Sequence, residues 1–220
     1  MEKDSNNSQR LFLIAVAVIG WAAIIVQFYL IIANRTASVA ETIARFFSFF
    51  TILTNILVAL CCSLLLLKSA TRMRRFFARP ATLTAITLYI AVVGIIYNAI
   101  LRFLWEPHGL QLIVDELLHS VIPVLFIVYW LLYVPKENLA FKNIPPSLLY
   151  PVIYCIYILI RGSVAGYYPY PFMDVKLLGY NKVFLNIGGM LIVFLFIAIL
   201  LTGIAKLNLN KKTGRNKSNR

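Results

Sequence analysis

Charged side chains are scarce in this sequence: 13% of its 220 residues are Asp, Glu, Lys or Arg, and 61% are hydrophobic. Soluble domains carry roughly a quarter charged residues, so this composition excludes an ordinary soluble protein. The mean hydropathy of +0.83 indicates several membrane spans. We therefore predict an all-α polytopic membrane protein whose six transmembrane helices form one bundle.

Residues that bind metals are equally few, because the chain has only two histidines and three cysteines. Cys61, Cys62 and Cys155 lie in apolar runs without metal-ligand spacing, and His108 lies in a predicted loop. A histidine-rich zinc site cannot be assembled from two histidines. No glycine-rich phosphate loop is present either. We expect no metal and no cofactor.

Acidic residues are outnumbered by basic ones, 8 to 21, which gives a formal net charge of +13. The basic residues collect in loops and in the tail, beside the apolar runs, where they suit anionic lipid headgroups. This placement argues against nucleic acid as a partner.

Six apolar stretches are long enough to cross a bilayer or nearly so, since about 20 residues span the hydrocarbon layer. They divide the chain into a tail at 1–9, a transmembrane domain at 10–205 and a basic tail at 206–220 that we expect to be disordered. The predicted spans are about 10–33, 44–67, 83–104, 114–134, 147–160 and 182–205. Most Lys and Arg residues then fall on the side of both termini. The positive-inside rule therefore predicts cytoplasmic termini.

Polar side chains inside these spans lie at a common depth, one to two helical turns below the predicted outer surface. The inner halves of the spans carry no amide or ionisable side chain. Such groups need partners in hydrocarbon, so we predict that they line one cavity open to the outer side. This one-sided pattern argues against a transporter, which needs polar continuity across the membrane. The set comprises Gln27, Thr51, Asn55, Asn98, His119, Tyr157 and Asn186.

The fourth span carries His119, an ionisable residue at a depth where such residues are rare and commonly functional. Asp115 lies four residues earlier on the same helical face and could orient the imidazole. Pro123 lies four residues later and has no N–H to donate, so the carbonyl of His119 is predicted to be free. The alternative is that His119 only ties helices together.

The second span carries Thr51 at a depth similar to that of His119. A hydroxyl beside an imidazole is the minimum for nucleophilic acyl transfer. Asn98 or Asn55 could donate to the oxyanion of the reaction. The alternatives are that Thr51 only bonds the carbonyl of Phe47, as threonine often does in membrane helices, and that the asparagines are interhelical contacts.

Three short runs resemble a known family: Phe49-Phe-Thr51, Leu118-His-Ser-Val-Ile-Pro123 and Tyr168-Pro-Tyr-Pro-Phe172. In this order they resemble the androgen-induced and androgen-dependent TFPI-regulating protein family of membrane threonine hydrolases, and its bacterial six-span branch. The resemblance implies cleavage of fatty-acid esters of hydroxy fatty acids, with Thr51 as nucleophile and His119 as base. The chain departs from the animal pattern at Asp115-Glu-Leu-Leu118 and at Thr54.

Our leading hypothesis is therefore a membrane esterase that acts on a lipid-like ester. Asp115 would support His119, and Asn98 or Asn55 would support the oxyanion. Residues predicted to contact substrate are Arg161, Arg102, Asn186, Gln27 and Tyr157. The rival hypothesis is a non-catalytic lipid- or small-molecule-binding membrane protein.

Overall fold

The computed structural model describes residues 2–69, 71–104, 106–137 and 139–218, with side chains from 7 to 207. Within these ranges the chain forms helices and no strands, which confirms the predicted all-α class. The helices are α1 (Glu2–Ala33), α2 (Val39–Phe46), α3 (Phe50–Leu66), α4 (Arg72–Phe77), α5 (Pro80–Ala99), α6 (Leu110–Glu116), α7 (Ile122–Tyr133), α8 (Ile144–Ala165), α9 (Val175–Leu178) and α10 (Tyr180–Ser218).

Five helical segments of the described chain are each long and apolar enough to cross a membrane, and a bent pair raises the number to as many as six. That pair is α2 and α3, whose axes differ by 68°. The second predicted span, about 44–67, is therefore a broken helix rather than a straight one. The fourth span is α6 and α7 joined by a π-helical turn at Leu117–Val121.

The two chain ends differ from the sequence expectation. α1 begins at Glu2, inside the segment predicted to be a polar tail. α10 continues to Ser218, so the tail expected to be disordered is helical in the residues that the structure describes. Met1, Asn219 and Arg220 lie outside the described residues.

Local sequence signals explain several helix ends. α5 begins with Pro80, whose missing N–H is not needed in a first turn. α8 ends at Gly166, which has a φ of +68°, a left-handed conformation that suits glycine. The hydroxyl of Ser38 accepts a hydrogen bond from the N–H of Glu41 and caps α2.

Breaks in helical hydrogen bonding recur in the bundle, and several of the carbonyls that they leave free receive a donor from a neighbouring helix. Pro151 in α8 cannot donate to the carbonyl of Ser147, and the Tyr89 hydroxyl donates to that oxygen at 2.8 Å. At the break before α3, the Tyr154 hydroxyl donates to the carbonyl of Ser48 at 2.8 Å. Buried backbone groups are thus satisfied by side chains where helix geometry fails.

The core lies between α1, α3, α5 and α7. α1 packs along α3, and α5 packs against both α3 and α7. α10 packs on α5 and α8. The start of α3, the second half of α5 and the middle of α8 line the candidate site together with α10.

Candidate functional site

A cavity opens between α3, α5, α8 and α10. It encloses about 600 Å³, counted out to its mouth, and is lined by residues of α3, α5, α8 and α10 and by the loop before α9. We call it the Thr51 cavity. Its hydroxyl-bearing lining residues are Thr51, Tyr154 and Tyr170. Most of the wall is apolar and includes Phe50, Val92, Ile96, Met173, Met190 and Phe194.

Thr51 lies in the first turn of α3 and is only 7% exposed. Six other Ser and Thr hydroxyls in the described chain donate to the carbonyl four residues earlier: those of Thr42, Ser48, Ser63, Thr84, Thr87 and Thr202. The described chain shows no such bond from Thr51 to Phe47. The alternative in which Thr51 only bonds the carbonyl of Phe47 is therefore wrong. The break before α3 removes the helical geometry that this bond requires.

The N-terminus of α3 supplies hydrogen-bond donors beside that hydroxyl. Phe49, which precedes the helix, makes no side-chain cap. The N–H of Leu53 is the first that bonds a carbonyl, that of Phe49, at 3.2 Å. No hydrogen bond from the N–H groups of Phe50 and Thr51 is seen among the described residues, and Tyr170 lines the same cavity as Thr51. Uncapped N–H groups at a helix start favour negative charge.

Tyr170 is the functional candidate that the sequence interpretation missed. It lies in the Tyr168–Phe172 run, which carried the family resemblance but received no role. Its ring stacks on Phe172, with centroids 5.2 Å apart, and packs edge-on against Phe49 at 5.9 Å. Burial raises the pKa of Tyr170, so its phenol keeps its proton at neutral pH.

The loop that carries Tyr170 is held by contacts with α10 on one side and with α8 on the other. Asn186 of α10 donates to the carbonyl of Phe172 at 2.8 Å. On the other side, the Tyr168 ring packs directly over Gly162, where a Cβ would come within 2.0 Å of the ring. Asn186, predicted to bind substrate, therefore holds the loop and is not among the residues that line the Thr51 cavity.

His119 lies in the π-helical turn, which we call the His119 bulge (Leu117–Val121). Its Nδ1 is 2.9 Å from the carbonyl oxygen of Asp115. A carbonyl can only accept, so Nδ1 carries the proton and Nε2 keeps a lone pair, as a general base requires. Asp115 thus orients His119, but through its main-chain oxygen rather than its carboxylate. The imidazole stacks on Tyr97, with centroids 3.9 Å apart.

The bulge leaves carbonyls without helical partners, as the position of Pro123 predicts. The N–H of Ile122 bonds the carbonyl of Leu117, five residues back, and Pro123 has no N–H to give. Asn55 of α3 donates to the carbonyl of Leu118 at 3.1 Å, and Asn98 of α5 approaches that of His119 at 3.4 Å. Both amides are used here rather than directed at the Thr51 cavity.

Thr51 and His119 are brought near one another but not into contact. Asn55 links their elements, because its amide also donates to the carbonyl of Thr51 at 2.9 Å. In the described chain no hydrogen bond joins Thr51 to His119, and His119 is not among the lining residues of the Thr51 cavity. The prediction that all the polar residues line one cavity is therefore wrong: only Thr51 of that set does so.

A second group of hydrogen-bonded polar side chains lies between α1 and α6 and includes Gln27. Gln111 of α6 donates to Gln27 of α1 at 2.8 Å and to the carboxylate of Asp115 at 2.9 Å. Gln27 is therefore engaged between two helices, outside the Thr51 cavity. Tyr157 is 38% exposed on the surface of α8 and does not line the cavity either.

The two arginines predicted to bind a substrate carboxylate already have carboxylate partners. Arg161 is 3.0 Å from Glu41, which also pairs with Arg45 at 2.9 Å. Arg102 is 2.5 Å from Glu116. The geometry therefore gives each arginine an ion pair within the protein, and neither lines the Thr51 cavity.

No protein-family model matches the chain, and no match was found among curated proteins or among solved structures. The family resemblance therefore stays a prediction. No group of three or more His, Cys, Asp or Glu side chains in the described residues is arranged to hold a metal ion.

Proposed function

We propose that the protein is an integral-membrane ester hydrolase in which Thr51 attacks a lipid-like ester bound in the Thr51 cavity. The observation that carries the proposal is the position of the Thr51 hydroxyl. It lies in the first turn of a helix that begins inside the bundle, beside uncapped N–H groups and against an apolar cavity.

The chemistry follows from that position. Thr51 Oγ1 would form a bond to the ester carbonyl carbon and lose its proton to a base, and the alcohol would leave with a proton. Water would then cleave the acyl-enzyme and release the acid. Negative charge develops on the carbonyl oxygen in both steps, and N–H groups at a helix start are suited to stabilise it. We assign this role to the N-terminus of α3 rather than to Asn98 or Asn55.

His119 is proposed as the base. The hydrogen bond from Nδ1 to Asp115 leaves Nε2 able to take a proton. Since the structure shows no direct bond to Thr51, a side-chain rotation or a bridging water is part of the proposal.

The apolar wall indicates a substrate with an acyl chain, because burial of CH₂ groups is worth about 0.8 kcal/mol each. We propose that the termini are cytoplasmic, that the membrane is a bacterial inner membrane, and that the Thr51 cavity lies in the outer half. The position of the termini is supported by the basic loops, and the bacterial membrane by the family resemblance. The position of the cavity in the outer half is supported by its lining, which comes from the start of α3 and the second half of α5.

The test is covalent labelling of the purified protein in detergent by a fluorophosphonate, read by intact mass. Wild type should gain one adduct, Thr51→Ala should gain none, and His119→Ala should label slowly. An adduct of equal rate on Thr51→Ala, or no adduct on folded wild type at any neutral pH, contradicts the proposal.

One observation favours the rival function, a lipid-binding protein without catalysis: His119 is not among the residues that line the cavity. In that case a lipid would co-purify and be retained unchanged, and wild type would gain no adduct. Mass spectrometry of extracted lipids, before and after incubation with ester, separates the two functions.

A further inference from the structure

The short helix α2 presents a different kind of side chain on each of its sides. Since successive residues of a helix turn by about 100°, Val39, Ile43 and Phe47 share one side of α2 and its C-terminal end. These three apolar side chains are between 36% and 48% exposed. Glu41 and Arg45 lie on the opposite side. α2 therefore has an exposed apolar side and a charged side that point in opposite directions.

A third side of α2 packs on the bundle. Thr42 and Phe46 are 3% and 2% exposed. The Phe46 ring packs edge-on against Phe28 of α1, with centroids 5.1 Å apart. This contact fixes the rotation of α2 about its own axis, and so it fixes the directions of the apolar and charged sides.

The charged side of α2 is turned toward the loop that follows α8. Glu41 pairs with Arg45 at 2.9 Å and with Arg161 of α8 at 3.0 Å. The Arg45 guanidinium also lies 4.3 Å from the centre of the Tyr167 ring in that loop. The exposed apolar side faces away from all of these groups.

The bend between α2 and α3 separates α2 from the membrane span. The axes of the two helices differ by 68°. α3 has 17 residues and is about 25 Å long, close to the roughly 30 Å of a hydrocarbon layer. α3 therefore crosses most of that layer alone, and α2 is left near one surface. Helices with one apolar and one charged side are suited to lie in such a surface.

We propose that α2 lies along the membrane surface, with Val39, Ile43 and Phe47 in contact with the acyl chains of the leaflet in which α3 begins. The bend then places Thr51, in the first turn of α3, near the boundary between headgroups and chains. The ester linkages of membrane lipids lie at that depth. The position of α2 does not depend on the proposed function; only the value of this depth for ester cleavage does.

The first measurement is the depth of nitroxide labels on the protein in vesicles of phosphatidylcholine and phosphatidylglycerol. Depth is read from the collision rates of each label with oxygen, which enters the chain region, and with a water-soluble nickel chelate. The labels are attached to Val39→Cys, Ile43→Cys and Phe47→Cys, one at a time, in a Cys155→Ala background whose two remaining cysteines are fully buried.

The matched controls are labels at Val18 and Ile25 of α1, which are 63% and 64% exposed on a helix long enough to cross the membrane. Their depths should differ by about 10 Å, since they are seven residues apart. Val39 and Phe47 are eight residues, or about 12 Å, apart along the helix. At 68° to an α3 that follows the membrane normal, their depths should differ by only about 4–5 Å.

All three labels on α2 should collide more often with oxygen than with the nickel chelate. A depth difference between Val39 and Phe47 as large as that of the control pair would show that α2 crosses the layer. Labels that meet neither reagent would show that protein covers this side, and labels that meet mainly the nickel chelate would place it in water. Each of these three results overturns the proposal.

The second measurement uses the unsubstituted protein. The vesicles contain phosphatidylcholine with a diazirine either beside the ester linkage or at the chain end, and cross-linked peptides are identified after irradiation. The peptide that contains α2 should be labelled more by the first lipid. The peptide around Val18, near the middle of the α1 span, should be labelled more by the second. Equal or reversed labelling of the α2 peptide overturns the proposal. Neither measurement uses activity, so failure of Thr51 to react would remove the hydrolase and leave the position of α2 intact.

Discussion

Asn55 allows a quantitative test of how the His119 bulge is stabilised. Its side chain is fully buried, and its amide donates to the carbonyls of Thr51 and Leu118. Leu118 has no other helical donor at hand, because Ile122 bonds Leu117 and Pro123 lacks an N–H. Replacing Asn55 by the similarly sized Leu should therefore leave the Leu118 carbonyl unsatisfied in the interior.

The expected cost of Asn55→Leu is about 1–2 kcal/mol of the free energy of unfolding, the range for interhelical hydrogen bonds in membranes. Pro123→Ala restores an N–H that can serve the carbonyl of Leu118 or that of His119. In the Pro123→Ala background the cost of Asn55→Leu should fall to about 0.5 kcal/mol, so the two changes are coupled by roughly 1 kcal/mol.

The assay is reversible unfolding in mixed detergent micelles, with the four variants of this cycle measured side by side. Asn98→Leu is a matched control, because its bond to the bulge is longer, at 3.4 Å, and the residue is exposed. It should cost less than Asn55→Leu. Equal losses for Asn55→Leu with and without Pro123 would refute the idea that this asparagine replaces the missing proline donor.

Three further predictions concern the packing around the site. Gly94→Ala should lower the free energy of unfolding by about 1–3 kcal/mol, because the added Cβ would lie 3.1 Å from Pro123 Cβ. Gly189→Ala is the control: no atom lies within 4 Å of its added Cβ, so it should be neutral or stabilising. Thermal unfolding of the two variants compares them. Gly162→Ala should displace the loop of Tyr170 and reduce labelling of Thr51, and labelling that is unchanged would show that the loop tolerates the clash. A lipophilic maleimide should modify Cys155, which lines the Thr51 cavity, but not the fully buried Cys61 and Cys62. An added fatty-acid ester should protect Cys155 from the maleimide. Modification of Cys155 at an unchanged rate would show that the ester binds elsewhere.

The sequence predicted the helical class and the approximate spans because long apolar runs have few alternatives in a membrane. It also predicted the loosened backbone near His119, because proline lacks the donor that a helix needs. Both inferences depend on local chemistry alone. The structure confirms the helical class over the described residues and the loosened backbone at Leu117–Val121.

The break at Phe47–Phe49 could not be predicted in this way, because no Gly or Pro lies there. It is stabilised by a distant partner, Tyr154, whose hydroxyl donates to the carbonyl of Ser48 within the break. The predicted common cavity failed for a related reason. Depth along a helix follows from sequence, but the direction in which each side chain points is set by packing, which directs Asn55 and Gln27 to neighbouring helices.

The central claim is that Thr51 carries the acyl group during hydrolysis. The most direct measurement is peptide mass spectrometry after brief incubation with a long-chain nitrophenyl ester and acid quenching. The peptide that contains Thr51 should gain the mass of the acyl chain in wild type and lose it after hydroxylamine treatment, and Thr51→Ala should show neither acylation nor turnover. An acyl group on any other residue, or hydrolysis that persists in Thr51→Ala, would contradict this account.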